Sequence, residues 1–237
     1  MKKAIVVGAS SGIGKELARI LAEEDYRVGI TGRRAELLSQ IKASSPEKYR
    51  VHPFDCTREN NAEQLTELAA ELGGLDLLIL SAGTGELNEN LNFALERRTV
   101  ELNVYAFTEI VDWAFNYFEG QGKGHLVAIS SIGGIRGSAV APAYNASKAY
   151  QINYLEGLRQ KAHKLGKSIF VTDIRPGLVD TAMAKGEGLF WVAKPAKAAQ
   201  QIYSLIKRKK DVGYVTKRWG LIGRLLKILP NWVYKRF

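Results

Sequence analysis

Lys3-Ala4-Ile5-Val6-Val7-Gly8-Ala9-Ser10-Ser11-Gly12-Ile13-Gly14 decides how this chain is read. A short apolar run rich in β-branched residues reaches Gly8 and breaks into a turn of Gly, Ala and Ser. From Lys15 to Glu24 the apolar positions recur at helical spacing. A strand that enters a helix through such a turn brings bare backbone and unpaired N–H groups to one point. That point suits a pyrophosphate, which the helix dipole also favours. The spacing departs from G-x-G-x-x-G, so the assignment rests on the strand–turn–helix context rather than on that pattern. Gly8, Ser10, Ser11, Gly12, Ile13 and Gly14 are the candidate contacts, and a glycine-rich turn without a ligand is the alternative.

Outward from this turn, short apolar runs alternate with longer amphipathic segments. Strands are predicted at residues 3–8, 27–31, 49–55, 75–81, 125–130, 168–175 and 213–216. Helices are predicted at 14–24, 34–42, 60–72, 91–117, 143–165 and 196–207. Several strands are nearly continuous Val, Ile and Leu, as parallel strands buried on both faces are. The alternation predicts an α/β fold, a doubly wound parallel sheet with helices on both faces and a ligand crevice at the strand C-termini. Neither an interdomain linker nor an internal repeat interrupts it. One catalytic domain is expected over residues 1–216, followed by a basic amphipathic tail at 217–237, packed on it or extending from it.

The second strand ends Thr31-Gly32-Arg33-Arg34. In folds of this kind a carboxylate about 20 residues past the turn holds the ribose of NAD, whereas an arginine accepts the 2′-phosphate of NADP. The acid is missing and two arginines stand in its place. A guanidinium suits a phosphate because its planar fork donates two charge-assisted hydrogen bonds. NADP(H) is therefore the expected cofactor, with Arg33 at its phosphate and Lys15 as a weaker candidate.

Tyr144 and Lys148 lie four residues apart on a predicted helix and share a face. A free phenol, with a pKa of about 10, is a poor acid or base near neutrality, and a neighbouring ammonium is expected to lower it. Alone, Tyr-x-x-x-Lys is common by chance and usually structural. Ser131, at the end of the fifth predicted strand, is placed to return beside Tyr144 and donate to a carbonyl oxygen. Ser130 competes with it, and strand alternation leaves the choice open.

With these residues in order, the chain resembles the short-chain dehydrogenase/reductase family of the classical type over about residues 3–215. The resemblance implies a Rossmann-like fold and hydride transfer between a nicotinamide and a ketone or secondary alcohol. Gly8, Gly12 and Gly14 match the glycine motif, Asp55 the residue that meets the adenine amine, and Arg33 the basic position of NADP-preferring members. Asn103, Ser131, Tyr144 and Lys148 match the catalytic tetrad. The resemblance implies that Tyr144 transfers the proton and Ser131 holds the oxygen. Lys148 would bind the nicotinamide ribose and lower the tyrosine pKa, while Asn103 would seat a water linking Lys148 to solvent. Ala82 and Gly83 match the loop beside the cofactor. Pro176, Gly177, Val179 and Thr181 match the segment that holds the nicotinamide. Leu80 stands where the family has an asparagine that supports this loop. Residues 186–194, with Leu189, Phe190, Trp191 and Val192, match a substrate lid.

Charge sharpens the remaining expectations. Of the net +10, residues 207–237 carry +9, ten Lys and Arg against Asp211, so the body is almost neutral. Nucleic acid is not expected as a partner, because the charge belongs to a tail. The tail interleaves Trp219, Leu221, Ile222, Leu225, Leu226, Ile228 and Trp232 with Arg224, Lys227, Lys235 and Arg236. It is too short to span a bilayer but has the pattern of an interfacial helix. Peripheral membrane contact is one expectation for it; a subunit contact or a cover for the substrate cleft is the other. The lone Cys56 and scattered His52, His125 and His163 give neither a disulfide framework nor a metal site. The opening apolar run stops at Gly8, too soon for a secretory core. A cytoplasmic homodimer or homotetramer, at most attached to a membrane surface, is expected. Its substrate is a small-molecule or lipid-like carbonyl, including the variant of a 3-oxoacyl thioester. The competing class is a non-catalytic protein that senses NADPH.

Overall fold

The computed structural model describes residues 1–58, 60–183 and 190–236. Seven parallel strands form one sheet: β1 (Lys2–Val7), β2 (Tyr26–Gly32), β3 (Tyr49–Pro53), β4 (Leu77–Leu80), β5 (Lys123–Ile129), β6 (Ser168–Pro176) and β7 (Val212–Val215). Their order is β3-β2-β1-β4-β5-β6-β7. The order therefore reverses between β1 and β4, and the crevice opens beyond the C-termini of these two strands.

The helices are α1 (Gly12–Glu23), α2 (Ala35–Ala43), α3 (Asn61–Leu72), α4 (Phe93–Val100), α5 (Phe107–Gln121), α6 (Pro142–Leu165) and α7 (Pro195–Lys207). Strand alternation divides the core between the two faces. Ala4, Val6, Leu77, Ile79 and Val127 pack with α1, α2 and α7 through Leu17, Leu38 and Ile202. Their neighbours Ile5, Val7, Leu78, Leu80, Leu126 and Ala128 pack with α3, α5 and α6 through Leu68, Phe115 and Leu155. A side-chain period of two on strands covered by helices on both faces requires this division.

Two expectations shift in ways that matter for the site. The helix predicted over residues 91–117 is α4 and α5 joined by a π-helical turn, Glu101–Ala106, which contains Asn103. The third strand stops at Pro53, where its partner β2 ends at Gly32, so Asp55 lies in the loop beyond the ladder. Beyond β7 the chain continues as α8 (Lys217–Ile228) and α9 (Asn231–Tyr234). Trp219 is buried, and a Cβ on Gly223 would stand 2.8 Å from the Tyr214 ring and 3.0 Å from Ile135, so α8 lies closely against the body there. Arg136 donates to the carbonyl of Leu229 (3.1 Å) and to Asn231 Oδ1 (2.8 Å), and the Tyr234 hydroxyl donates to the Gly137 carbonyl (2.5 Å).

Candidate active site

The glycine turn is built by close backbone approach. A Cβ on Gly14 would stand 2.2 Å from the Gly8 carbonyl oxygen, and one on Gly8, at φ +86°, 2.6 Å from the Ala82 nitrogen. Neither neighbour can retreat, because both are backbone. The N–H groups of Gly8 and Ala9 donate to the Thr31 carbonyl at 3.0 and 2.9 Å, tying the turn to β2. Ser11 is the N-cap of α1 but its side chain does not cap, and the first helical turn holds no acid. The turn therefore presents donors and bare backbone to an anion, which fits the pyrophosphate of a dinucleotide.

The two arginines after Gly32 separate in space. Arg34 donates through Nη2 to Ser10 Oγ (2.8 Å) and Ser11 Oγ (2.7 Å), reaching across the glycine turn. Arg33, also exposed, acts on the Asp55 carboxylate. Burial works to raise the Asp55 pKa, but the Thr57 N–H and hydroxyl that it accepts, with Arg33 and Arg58, bring it below the usual value. The sequence reading named both arginines and placed the phosphate on Arg33; Arg34 is the one in contact with the turn.

At the other end of the crevice, β5, the π turn and α6 converge. Ser131 caps the 3-10 turn Ile132–Ile135 by accepting from the Gly133 N–H (3.0 Å), and its hydroxyl and the Tyr144 ring both face Gly133, where a Cβ would stand 3.3 and 3.4 Å from them. Ser130 instead points into the fold, donating to Asp173 and to the Ile174 carbonyl (3.0 Å). That removes the ambiguity between the two serines: only Ser131 meets the phenol. The Tyr144 ring lies over Gly85, where a Cβ would be 2.4 Å from it. Lys148 is buried, and its ammonium donates to the Ile129 carbonyl (3.1 Å) and to Gln151 Oε1 (2.9 Å). Asn103 accepts from the Thr84 N–H at 3.0 Å and donates to its carbonyl at 2.7 Å.

These contacts correct one expectation. Tyr144 is not lowered: burial raises its pKa above the usual phenol value, and neighbouring Ser131 opposes this only in part. Lys148 is itself brought down to about 8 by burial, with Asp173 working the other way. Asn103, which the resemblance implies would seat a water, also gives its backbone carbonyl to Gln151 Nε2 at 2.9 Å. Leu80, at the position of the family's asparagine, is buried among the residues packed on α5. The loop it would have supported is held by Val7, whose carbonyl takes the Ser81 and Ala82 N–H groups at 2.8 and 2.9 Å, and by the Asn103–Thr84 pair.

The segment after β6 closes the site from above. A Cβ on Gly12 would stand 3.1 Å from Thr181 Cγ2, so this segment lies against the glycine turn. Val179 buries its side chain in the core beside α1 and α7, which leaves its backbone for a ligand. Asp180 N–H donates to the Ala193 carbonyl (2.9 Å) and Ala193 N–H to that of Leu178 (3.0 Å). Of the expected lid, residues 186–189 lie outside the described residues, while Phe190 and Trp191 pack on Trp219, with ring centroids 5.4 and 6.2 Å away. Sequence reasoning missed Gln151 and Trp219 as parts of this site. Gln151 follows Lys148 by three positions on the same helical face, and that spacing was the available signal.

Comparison with known proteins places the chain. The family described as short chain dehydrogenase matches residues 2–189. An uncharacterized oxidoreductase of Mycobacterium tuberculosis is 31% identical over an alignment covering 100% of this chain and 97% of that protein. The fold is also that of a 3-ketoacyl-(acyl-carrier-protein) reductase from Brucella melitensis complexed with NADH, with a TM-score of 0.81 at 19% identity over 90% of this chain and 96% of that one. An actinorhodin polyketide ketoreductase with NADPH gives 0.80 at 23% identity over 92% and 97%. The chain belongs to the short-chain dehydrogenase family and is an oxidoreductase of that family.

Proposed function

We propose that this protein transfers a hydride between NADP(H) and a ketone or secondary alcohol, with Tyr144 as the general acid or base. The observation that carries this reading is the Ser131–Tyr144 pair at the crevice, with the Lys148 ammonium behind it and the glycine turn opposite. Gly8, Ser10, Ser11, Gly12, Ile13 and Gly14 would hold the pyrophosphate, Asp55 the adenine, and Arg34 with Arg33 the 2′-phosphate. Lys148, Ala82, Gly83 and the 176–181 segment, through Pro176, Gly177, Val179 and Thr181, would hold the nicotinamide end. A bound nicotinamide supplies or takes the hydride. Ser131 offers a hydroxyl to the substrate oxygen, and Tyr144 exchanges the proton there. Burial favours the phenol form of Tyr144, the form that can donate to a developing alkoxide. Asn103 fixes the loop at Thr84 that faces the phenol.

The test is a panel of ketones and alcohols, from short to long chain and including 3-oxoacyl thioesters, followed at the nicotinamide absorbance. Tyr144→Phe is expected to lower kcat at least 1,000-fold, a loss of about 4 kcal/mol of transition-state stabilisation, while NADPH still binds. Equal turnover in the variant rejects the mechanism. A wild-type protein that binds NADPH and turns over nothing in the panel points to a sensor instead.

A second reading, in which the substrate is lipid-like, is favoured by the tail. Leu221, Leu225 and Ile228 on α8 are 56–77% exposed and recur at intervals of four and three, an outward stripe beside Arg218, Arg224 and Lys227, and Trp232 on α9 is exposed as well. Such a stripe suits an anionic membrane surface. Among the described residues no helix is long and apolar enough to cross a membrane. Flotation with vesicles of phosphatidylcholine and phosphatidylglycerol tests the contact, and protein that stays wholly in solution removes it. We also read the protein as a cytoplasmic homodimer or homotetramer. Exposed Phe93 and Tyr105 on α4 and the π turn suit a second copy, and light scattering on the eluting protein tests this.

A further inference from the structure

Gln151 lies one helical turn beyond Lys148 on α6 and is only 2% exposed. Both ends of its amide are used. Oε1 accepts from the Lys148 ammonium at 2.9 Å, and Nε2 donates to the backbone carbonyl of Asn103 at 2.9 Å. This carbonyl belongs to the π-helical turn Glu101–Ala106. Side chain, lysine and π turn therefore form one chain of hydrogen bonds. Burying a carboxamide is costly unless it is hydrogen-bonded, and here both of its ends are.

The chemistry of that link differs from what a water would give. A water accepts a proton on one side and releases one on the other. An amide oxygen only accepts hydrogen bonds and an amide nitrogen only donates them, so Gln151 holds the ammonium without passing its proton on. Of the three N–H groups of Lys148, one goes to Ile129 and one to Gln151, which leaves one for the crevice.

We propose that Gln151 is a positioning residue. It holds the Lys148 ammonium towards the crevice and ties it to the π turn through the Asn103 carbonyl. This rests on the reading of Tyr144 as the acid or base. The charged groups set against Lys148 are Asp173 on β6, itself paired with Arg175 (2.7 Å), and the ionisable Tyr144 on its own helix. Asn103 from the π turn and Gly83 from the loop after β4 face it as neutral groups. Removing Gln151 therefore removes the neutral acceptor that favours the charged amine and leaves Asp173 in place.

The experiment uses the full chain carrying ¹³C-labelled lysine. Lys148 is assigned by the resonance missing in Lys148→Met and titrated without nucleotide. Gln151→Leu is expected to move the Lys148 titration down by about 1–2 pH units, the worth of a hydrogen bond to a charged group. The limb of the kcat pH profile belonging to this group should follow, with NADPH affinity changing less than kcat. Gln151→Glu, which keeps the shape and adds a charge, is expected to move the titration upward. If Gln151→Leu does not fold, the Glu variant decides alone. An unmoved Lys148 titration in a folded variant overturns the proposal. The two readings fail separately: a wild type that reduces no carbonyl with NADPH sinks the hydride-transfer reading, while the nucleotide-free titration still reports on Gln151.

Discussion

The indole of Trp219 fills the space above Gly177: a Cβ on this glycine would stand 2.2 Å from the ring. The first turn of α8 is thereby seated on the segment expected to hold the nicotinamide, and Phe190 and Trp191 pack on the outside of the same ring. A residue from the basic tail thus becomes a wall of the site. Trp219→Ala is expected to cost about 3–5 kcal/mol, the range for deleting a buried aromatic side chain. NADPH affinity should fall with it as the 176–181 segment loosens. Urea unfolding and a fluorescence titration check the two effects, and a variant with unchanged affinity would detach the tail from the site.

The glycine turn gives a sharper steric prediction. Gly14→Ala puts a methyl 2.2 Å from the Gly8 carbonyl, a backbone atom that moves only if the turn opens. Overpacking of this kind costs about 1–3 kcal/mol, and the opened turn should weaken NADPH at least about 10-fold, or roughly 1.4 kcal/mol. Calorimetry of NADPH binding measures this. Wild-type affinity in the variant would mean that the nucleotide lies elsewhere.

Arg33 and Arg34 should separate in their effects on cofactor choice. Arg34 already bonds the two serine hydroxyls of the turn, whereas Arg33 acts on Asp55 through its charge. Arg34→Ala is expected to weaken NADPH about 10- to 100-fold relative to NADH, the worth of a charge-assisted hydrogen bond. Arg33→Ala should do less and should disturb the adenine end equally for both nucleotides. The ratio of the two dissociation constants for each variant is the measurement, and an unchanged ratio in both removes the phosphate from this corner.

His125, on β5, supplies a pH dependence unrelated to catalysis. It is buried beside Thr172 Oγ1 (2.8 Å), and burial, aided by Lys209, brings its pKa down to about 4. The folded protein thus holds the ring neutral while the unfolded chain protonates near 6.5. Its contribution is fully present above pH 6.5 and is lost as pH falls through about 4. Between pH 7 and 4.5 the wild type should lose about 2–3 kcal/mol more stability than His125→Gln. Equal acid limbs in urea unfolding would show that the ring is not held neutral.

The parallel sheet and its glycine turn were legible because they depend on local pattern. The runs Ala4–Val7 and Leu77–Leu80 can only be buried on both faces, and the turn from Gly8 to Gly14 needs bare backbone whatever surrounds it. Tyr144, Lys148, Ser131 and Asn103 were legible as residue types in order along the chain. Their electrostatics were not. The proximity of Lys148 suggested a lowered phenol, but the desolvation that raises Tyr144 and lowers Lys148 comes from elements distant in sequence.

The sequence by itself therefore determined the fold and the order in which the candidate residues stand, because strand and helix periodicity and turn chemistry act over a few neighbouring residues. Only the tertiary structure decided which serine meets the phenol, which arginine touches the turn, and that Gln151 engages the Asn103 carbonyl. Those choices depend on packing between segments tens of residues apart, where a side chain's partner is set by the space its neighbours leave. The same holds for Trp219, an aromatic of the basic tail in the sequence and a wall over Gly177 in the fold.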